Sequence, residues 1–302
     1  MATEGGSLQS PARPFLTLPG WKHGPQVACS RERRTRERDL IPAAHITAWR
    51  KSHPWADDAQ VEQDLVISRA LVELYSAPGL QEKLLFRGGT ALHKIYLPPS
   101  SRYSEDIDLV QLEPGPIGPL FDEIRKVTEP FLGSPSRKQG PNVVNLVFRF
   151  QSEIPPVRTL RLKIEINTRD HFHVYPPAVH ILRVESPWFS GSCNIRTYSL
   201  EELLGTKMRA LYQRNKGRDL FDLWLGLQKG TVNAERVVKA FDHYLAAEGL
   251  SVSKKEYQEN VLKKIKNPRF LSDIRPLLRA GVDYNVQEAV QLLLDRLVSR
   301  LA

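Results

Sequence analysis

FRGGTALHKIYLPPSSRYSEDIDLV, residues 86–110, sets a strand end, a glycine turn, a helix, a loop and an acidic strand in one run. The short apolar stretch 83–86 reads as a strand, and Gly88 and Gly89 break it. Thr90 is placed to cap a helix whose Leu92, Ile95 and Tyr96 share one face, and Pro98 and Pro99 stop that helix. Residues 105–111 alternate polar and apolar, so period two puts Asp106 and Asp108 on one side of a strand with Ile107 and Leu109 buried on the other. Neighbouring carboxylates repel unless a cation lies between them. Mg²⁺, or Mn²⁺ in its place, takes oxygen ligands and bridges carboxylates to phosphate oxygens. Glycines let a triphosphate approach the backbone, and a helix N-terminus favours anions, so Gly88, Gly89 and Thr90 are candidates to border a nucleoside triphosphate (NTP). A lone glycine pair is only a turn, and a lone Asp-x-Asp only a solvated strand edge. Their order, with a helix between, carries the reading.

Outward from this run, residues 142–150 and 158–167 also alternate, the second most clearly: Leu160, Leu162, Ile164 and Ile166 interleave with Arg161, Lys163, Glu165 and Asn167. The intervening SEIPPV is short enough for an antiparallel hairpin with a prolyl turn. Glu165, on the polar face of its strand, is the natural third carboxylate of a two-metal arrangement. Upstream, Val61, Leu65, Ile67, Leu71, Val72 and Leu74 are spaced for a helix over 59–75, ended by Pro78 and Gly79. After Ser199 the pattern turns helical: 200–214, 218–228, 232–247, 253–266 and 284–300, with Ser199/Glu202 and Ser253/Glu256 spaced as capping boxes. The expected fold is α+β, a mixed sheet over 41–198 followed by a helical C-terminal domain over 199–302 that contributes lysine and aspartate to the site.

The second informative stretch is SLEELLGTKMRALYQRNKGRDLFDLWLGL, residues 199–227. Lys207 falls on the apolar stripe of Leu200, Leu203, Leu204, Met208 and Leu211, so it points inward unless it snorkels past the core edge. A buried ammonium needs an anion, and a nucleotide phosphate or a site carboxylate would serve. Arg214, Lys216 and Arg218 follow, suited to phosphate contact. Asp219 and Asp222 share a helix face, where they can anchor Lys207 or Arg218, orient a nucleotide or a substrate hydroxyl, or simply favour the helix dipole.

The chain has 302 residues, 41% hydrophobic and 25% charged, enough for one large core or two modest domains. Its formal charge of +9 would concentrate nucleotides or nucleic acid without choosing among them. No run is long and apolar enough to cross a membrane and no signal peptide is recognisable, so a cytoplasmic location and no membrane partner are expected. Cys29 and Cys193 lie too far apart to indicate a disulfide framework or zinc site, and His171 and His173 read as surface histidines. Residues 1–40 carry glycine, serine and proline and then SRERRTRERD, a basic segment whose Arg31, Arg33, Arg34, Arg36 and Arg38 are diluted by acids, read as a tail or an outer helix.

The segments FRGGTALHKIY, RYSEDIDLV, LRLKIEIN and EELLGTKMRALYQRNKGRDLFDLW together resemble the AbiEii/AbiGii family of nucleotidyltransferase toxins, which has the DNA polymerase β-like nucleotidyltransferase fold; the likeness spans roughly 60–228. It implies the toxin of a bacterial toxin–antitoxin or phage-defence pair, with a separately encoded antitoxin, often a winged-helix protein. It further implies Mg-dependent transfer of a nucleotide from an NTP to RNA, the tRNA 3′ end in characterised relatives, with translation inhibited. Carried over, Gly88, Gly89 and Ser104 border the triphosphate, Asp106 and Asp108 hold metal, Lys207 contacts phosphate, and Asp219 and Asp222 complete the second motif. In some relatives the serine matching Ser104 is phosphorylated, which makes Ser104 a regulatory candidate as well. Two rival readings are nucleotidylation of a protein side chain or of Ser104 itself, and a catalytically inactive nucleic-acid or partner-binding module.

Overall fold

The alternation over residues 159–167 is the clearest strand signal in the chain, and this segment lies inside the sheet. In the computed structural model, which describes residues 41–302, the elements run α1 (Ala43–Arg50), α2 (Asp58–Ser76), α3 (Pro78–Gln81), β1 (Leu84–Arg87), α4 (Gly88–Ala91), a π-helical turn (Leu92–Tyr96), β2 (Asp106–Gln111), α5 (Gly118–Leu132), β3 (Ser136–Gln139), β4 (Val143–Gln151), β5 (Thr159–Asn167), β6 (Ala178–Glu185), β7 (Ser190–Thr197), α6 (Leu200–Gln213), α7 (Gly217–Lys229), α8 (Ala234–Ala246), α9 (Lys254–Lys264), α10 (Pro268–Asp273) and α11 (Val286–Arg296). The expectations for residues 1–40 and for Cys29 lie outside the described residues.

Seven strands form one mixed sheet in the order β3-β4-β5-β2-β1-β7-β6. β4 and β5 are the expected hairpin, paired from Val143↔Asn167 to Gln151↔Thr159. β1 runs antiparallel to β2, whereas β2 runs parallel to β5 with Asp106 opposite Lys163 and Asp108 opposite Glu165. This register brings the acidic strand beside the third carboxylate. Leu160, Leu162, Ile164 and Ile166 are buried, as the period of two requires. α2 is buried nearly all round, packs against β2, β5, β6 and β7, and is flanked by α1 and α5.

Three strands carry no clear sequence signal. β3 (SRKQ) is wholly exposed and depends on its pairing with β4. β7 (SGSCNIRT) is made mostly of small polar residues, and β6 places apolar side chains on both faces, leaving Val179 and Ile181 exposed.

The helical half follows its pattern closely from 200 to 264. Expected 284–300 is shorter: α11 ends at Arg296, and a 3₁₀ turn covers Val298–Arg300. Ser253 and Glu256 form a complete capping box. At Ser199 only half of one forms: its hydroxyl accepts from the Glu202 N–H, but the Glu202 carboxylate turns away to accept from the Val174 and Tyr175 N–H groups and the Tyr244 hydroxyl. The loop before β2 is stitched to the C-terminal region, with Tyr103 N–H donating to the Leu277 carbonyl and Arg279 N–H to that of Ser101. All described residues fall within one compact unit, and the change of pattern at Ser199 lies inside it. Among them, no helix is long and apolar enough to cross a membrane.

Candidate active site

β1 ends at Arg87, and the chain then turns through Gly88 at φ +79°, a left-handed conformation that glycine adopts without strain. What comes close to the two glycines is the protein itself. A Cβ on Gly88 would overlap the Asp108 carboxylate, and one on Gly89 would lie 2.5 Å from Arg102 Nη2. The glycine pair thus lets an acid and a guanidinium pass beneath the turn. Thr90 is not a helix cap, because the helix already begins at Gly88. It is buried, and its hydroxyl lies against the Asp106 carbonyl and 2.9 Å from Ser104 Oγ, so it positions the strand and Ser104 from beneath.

On the strand side, Asp106, Asp108 and Glu165 share one face of β2 and β5, all partly exposed. Lys163, which sequence reasoning passed over, stands among them, its Nζ 3.0 Å from both Asp106 Oδ2 and Glu165 Oε2. Burial, with Asp108 adding to it and Lys163 opposing, pushes the Asp106 carboxyl up to about 6. Burial also raises Asp108, against the pull of Arg87.

The helical side is built differently. Lys207 does point inward, only 6% exposed, and its ammonium lies 2.8 Å from Asp222 Oδ2 and 3.3 Å from Asp219 Oδ1. Asp222 is fully buried and also accepts a bidentate pair from Arg102 Nε and Nη2 (2.6 and 2.7 Å) and a bond to His93 Nε2 (2.9 Å). Asp219, also buried, accepts a bidentate pair from Arg214 at 2.7 and 2.8 Å. Burial alone would raise both acids, but Arg102 and Lys207 drive Asp222 well below the usual carboxylate range, and Lys207 and Arg214 lower Asp219. Burial holds His93 neutral, lowered to about 4, so it donates to Asp222 as an uncharged imidazole. With no exposed surface, Asp219 and Asp222 orient Lys207 and Arg214 and cannot touch a nucleotide themselves.

Two adjoining hollows open between these walls. One, of about 280 Å³, is lined by Arg87, Gly88, Gly89, Arg209, Gln213 and other residues. The other, of about 130 Å³, is lined by Ser104, Glu105, Asp106, Lys163, Arg218 and others. Gly89, Asp108, Glu165, Lys207 and Arg214 face both. Arg218 is held by Asp273 and Glu105 at the rim. Two buried acids against Lys207, Arg102 and Arg214 leave the helical wall positive, while three acids against Lys163 leave the strand wall negative.

The donor chemistry of Asp106, Asp108 and Glu165 fits a hard divalent cation. As the side chains stand, no group of three His, Cys, Asp or Glu among the described residues could hold a metal ion, and Lys163 is drawn in between two of the three acids. The two histidines are no ligand pair: His171 Nδ1 is 2.8 Å from the Gln111 carbonyl, and His173 is exposed. Of the residues missed, Lys163 was legible from the strand period that placed Glu165. Arg102, in a loop, and His93, in a short helical turn beside Lys94, gave no such signal.

Solved structures share this fold. MenT4, a nucleotidyltransferase toxin of Mycobacterium tuberculosis H37Rv, matches with a TM-score of 0.61 at 17% identity, over 87% of this chain and 91% of that one. An H. pylori protein described as a nucleotidyltransferase matches with a TM-score of 0.50 at 20% identity, over 80% and 93%. The likeness places the chain in the nucleotidyltransferase fold class. More particularly, residues 69–292 match the family described as nucleotidyl transferase AbiEii toxin, type IV toxin–antitoxin system, and the chain belongs to that family. No curated protein matches it.

Proposed function

We propose that the chain transfers a nucleotide from an NTP to an RNA acceptor, the tRNA 3′ end, inhibits translation in the cytoplasm, and is countered by a cognate antitoxin. The observation that carries this reading is the convergence on one cleft of three carboxylates from β2 and β5 with Lys207 and Arg214 from the helical half. Asp106, Asp108 and Glu165 would hold Mg²⁺, which would supply positive charge to offset the triphosphate and the acids. Lys207 and Arg214, fixed by Asp219 and Asp222, neutralise charge developing on the phosphoryl oxygens as pyrophosphate leaves. Gly88, Gly89 and Ser104 border the triphosphate, with Arg218 at the rim, and the net charge of +9 gathers RNA.

Incubation with each of the four labelled triphosphates, Mg²⁺ and total tRNA should label RNA. Asp106→Ala should lower the rate by about 10³, roughly 4 kcal/mol of barrier. Label on Ser104 instead of RNA would replace this reading with self-modification. Absence of any transfer, or equal transfer by Asp106→Ala, would overturn it.

A further inference from the structure

Lys163 is a charged side chain of the cleft that the proposed chemistry does not use. Its placement is fixed by backbone pairing: Asp106 is its register partner across β2 and β5, and Glu165 is two residues along its own strand, on the same face. Its ammonium lies 3.0 Å from one oxygen of each, and its side chain keeps 22% of its surface in water. Of the other cations lining the cleft, Lys207 is committed to Asp219 and Asp222, Arg102 to Asp222, Arg214 to Asp219, Arg218 to Asp273 and Glu105, and Arg209 to Glu248, while Arg87 neighbours Asp108. Among the described residues, Lys163 is thus the one cation that bridges two of the three acids. A divalent ion held by Asp106 and Glu165 would draw on the same two carboxylates, and two cations crowded against them repel each other.

We propose that Lys163 is the built-in counter-cation of the carboxylate cluster: in the metal-free protein it holds Asp106 and Glu165 in place, and an arriving divalent ion displaces its ammonium. This rests on the reading of Asp106, Asp108 and Glu165 as metal ligands. The residue both supports the free protein and weakens metal binding, because each ion that enters must break its two ion pairs.

Lys163→Met keeps the aliphatic stem and removes the charge. Mn²⁺ binding to the full chain, followed by electron paramagnetic resonance of the free ion, should tighten about tenfold in this variant, the combined size of two partly exposed ion pairs no longer broken. The metal-free variant should melt lower than wild type, and Mn²⁺ should raise its Tm by more. Arg87→Met is the control for charge alone, since Arg87 neighbours Asp108 but bridges nothing, and it should tighten binding less than Lys163→Met. Wild-type affinity in Lys163→Met, or tightening no greater than in Arg87→Met, overturns the proposal while leaving the metal reading intact. Mn²⁺ binding that survives Asp106→Asn unchanged, or is absent from wild type, overturns both.

Discussion

On the strand wall of the cleft, Asp106 and Asp108 are pushed above the ordinary carboxylate range; on the helical wall, Asp219 and Asp222, more deeply buried, are driven below it. Burial disfavours the charged form in all four, so depth does not explain the difference. The partners do. Asp222 is met by a bidentate Arg102, by Lys207 and by His93, and Asp219 by Arg214 and Lys207, whereas Asp106 has half of one lysine and Asp108 a more distant Arg87. One pair of acids is finished as structure; the other is left short of positive charge, the condition in which a cation or a phosphate-bound ion is drawn in.

This contrast can be broken from the deep side first. Asp222→Asn leaves Arg102 and Lys207 without their shared counter-charge in a site closed to water, and should cost about 3–5 kcal/mol in urea unfolding. A cost under about 1 kcal/mol, on the scale of a surface pair, would mean that the network is not what holds the helical wall.

A smaller effect sharpens the shallow side. Asp106, raised to about 6 in the folded protein, binds its proton more tightly there than when unfolded, so its burden on stability is fully present above pH 6 and is relieved as pH falls from 6 toward 4. Wild type should therefore gain stability relative to Asp106→Asn between pH 7 and pH 5, as read from paired urea curves. Asp219 and Asp222 run the other way: their contribution is present above pH 4 and fades only as the pH drops through their lowered values. Parallel wild-type and Asp106→Asn profiles would remove Asp106 from the unfinished pair.

The smallest effect comes from Arg214, whose side chain is about half in water at 52% exposed. Arg214→Gln leaves Asp219 with Lys207, so its cost in unfolding free energy should be about 1 kcal/mol after solvent screening, while transfer activity falls more steeply. Equal losses to those of Asp222→Asn would show that exposure does not grade the network.

Much of the strand wall was legible in the sequence because period two is a rigid rule: once β2 and β5 are strands, Asp106, Asp108 and Glu165 must lie on polar faces. Their adjacency was not, since it depends on the parallel pairing of two segments more than fifty residues apart. The inward Lys207 followed from helical period for the same local reason. What local pattern could not supply was the other half of the deep network, because Arg102 sits in an irregular loop and meets Asp222 120 residues away. The glycines were placed correctly in the turn, but what passes beneath them is the protein's own Asp108 and Arg102. Thr90 followed the same path, turned from a cap into a support for Ser104.

The hydrogen bonds from Tyr103 to Leu277 and from Arg279 to Ser101 give that loop a further significance. Arg102 and Ser104 flank Tyr103, so the backbone that presents them to the cleft is clamped by a segment near the other end of the chain. Local opening of residues 277–279 would therefore slacken the floor of the cleft without unfolding the sheet, which makes this strip the natural place for anything that grips the C-terminal region to be felt in the cleft.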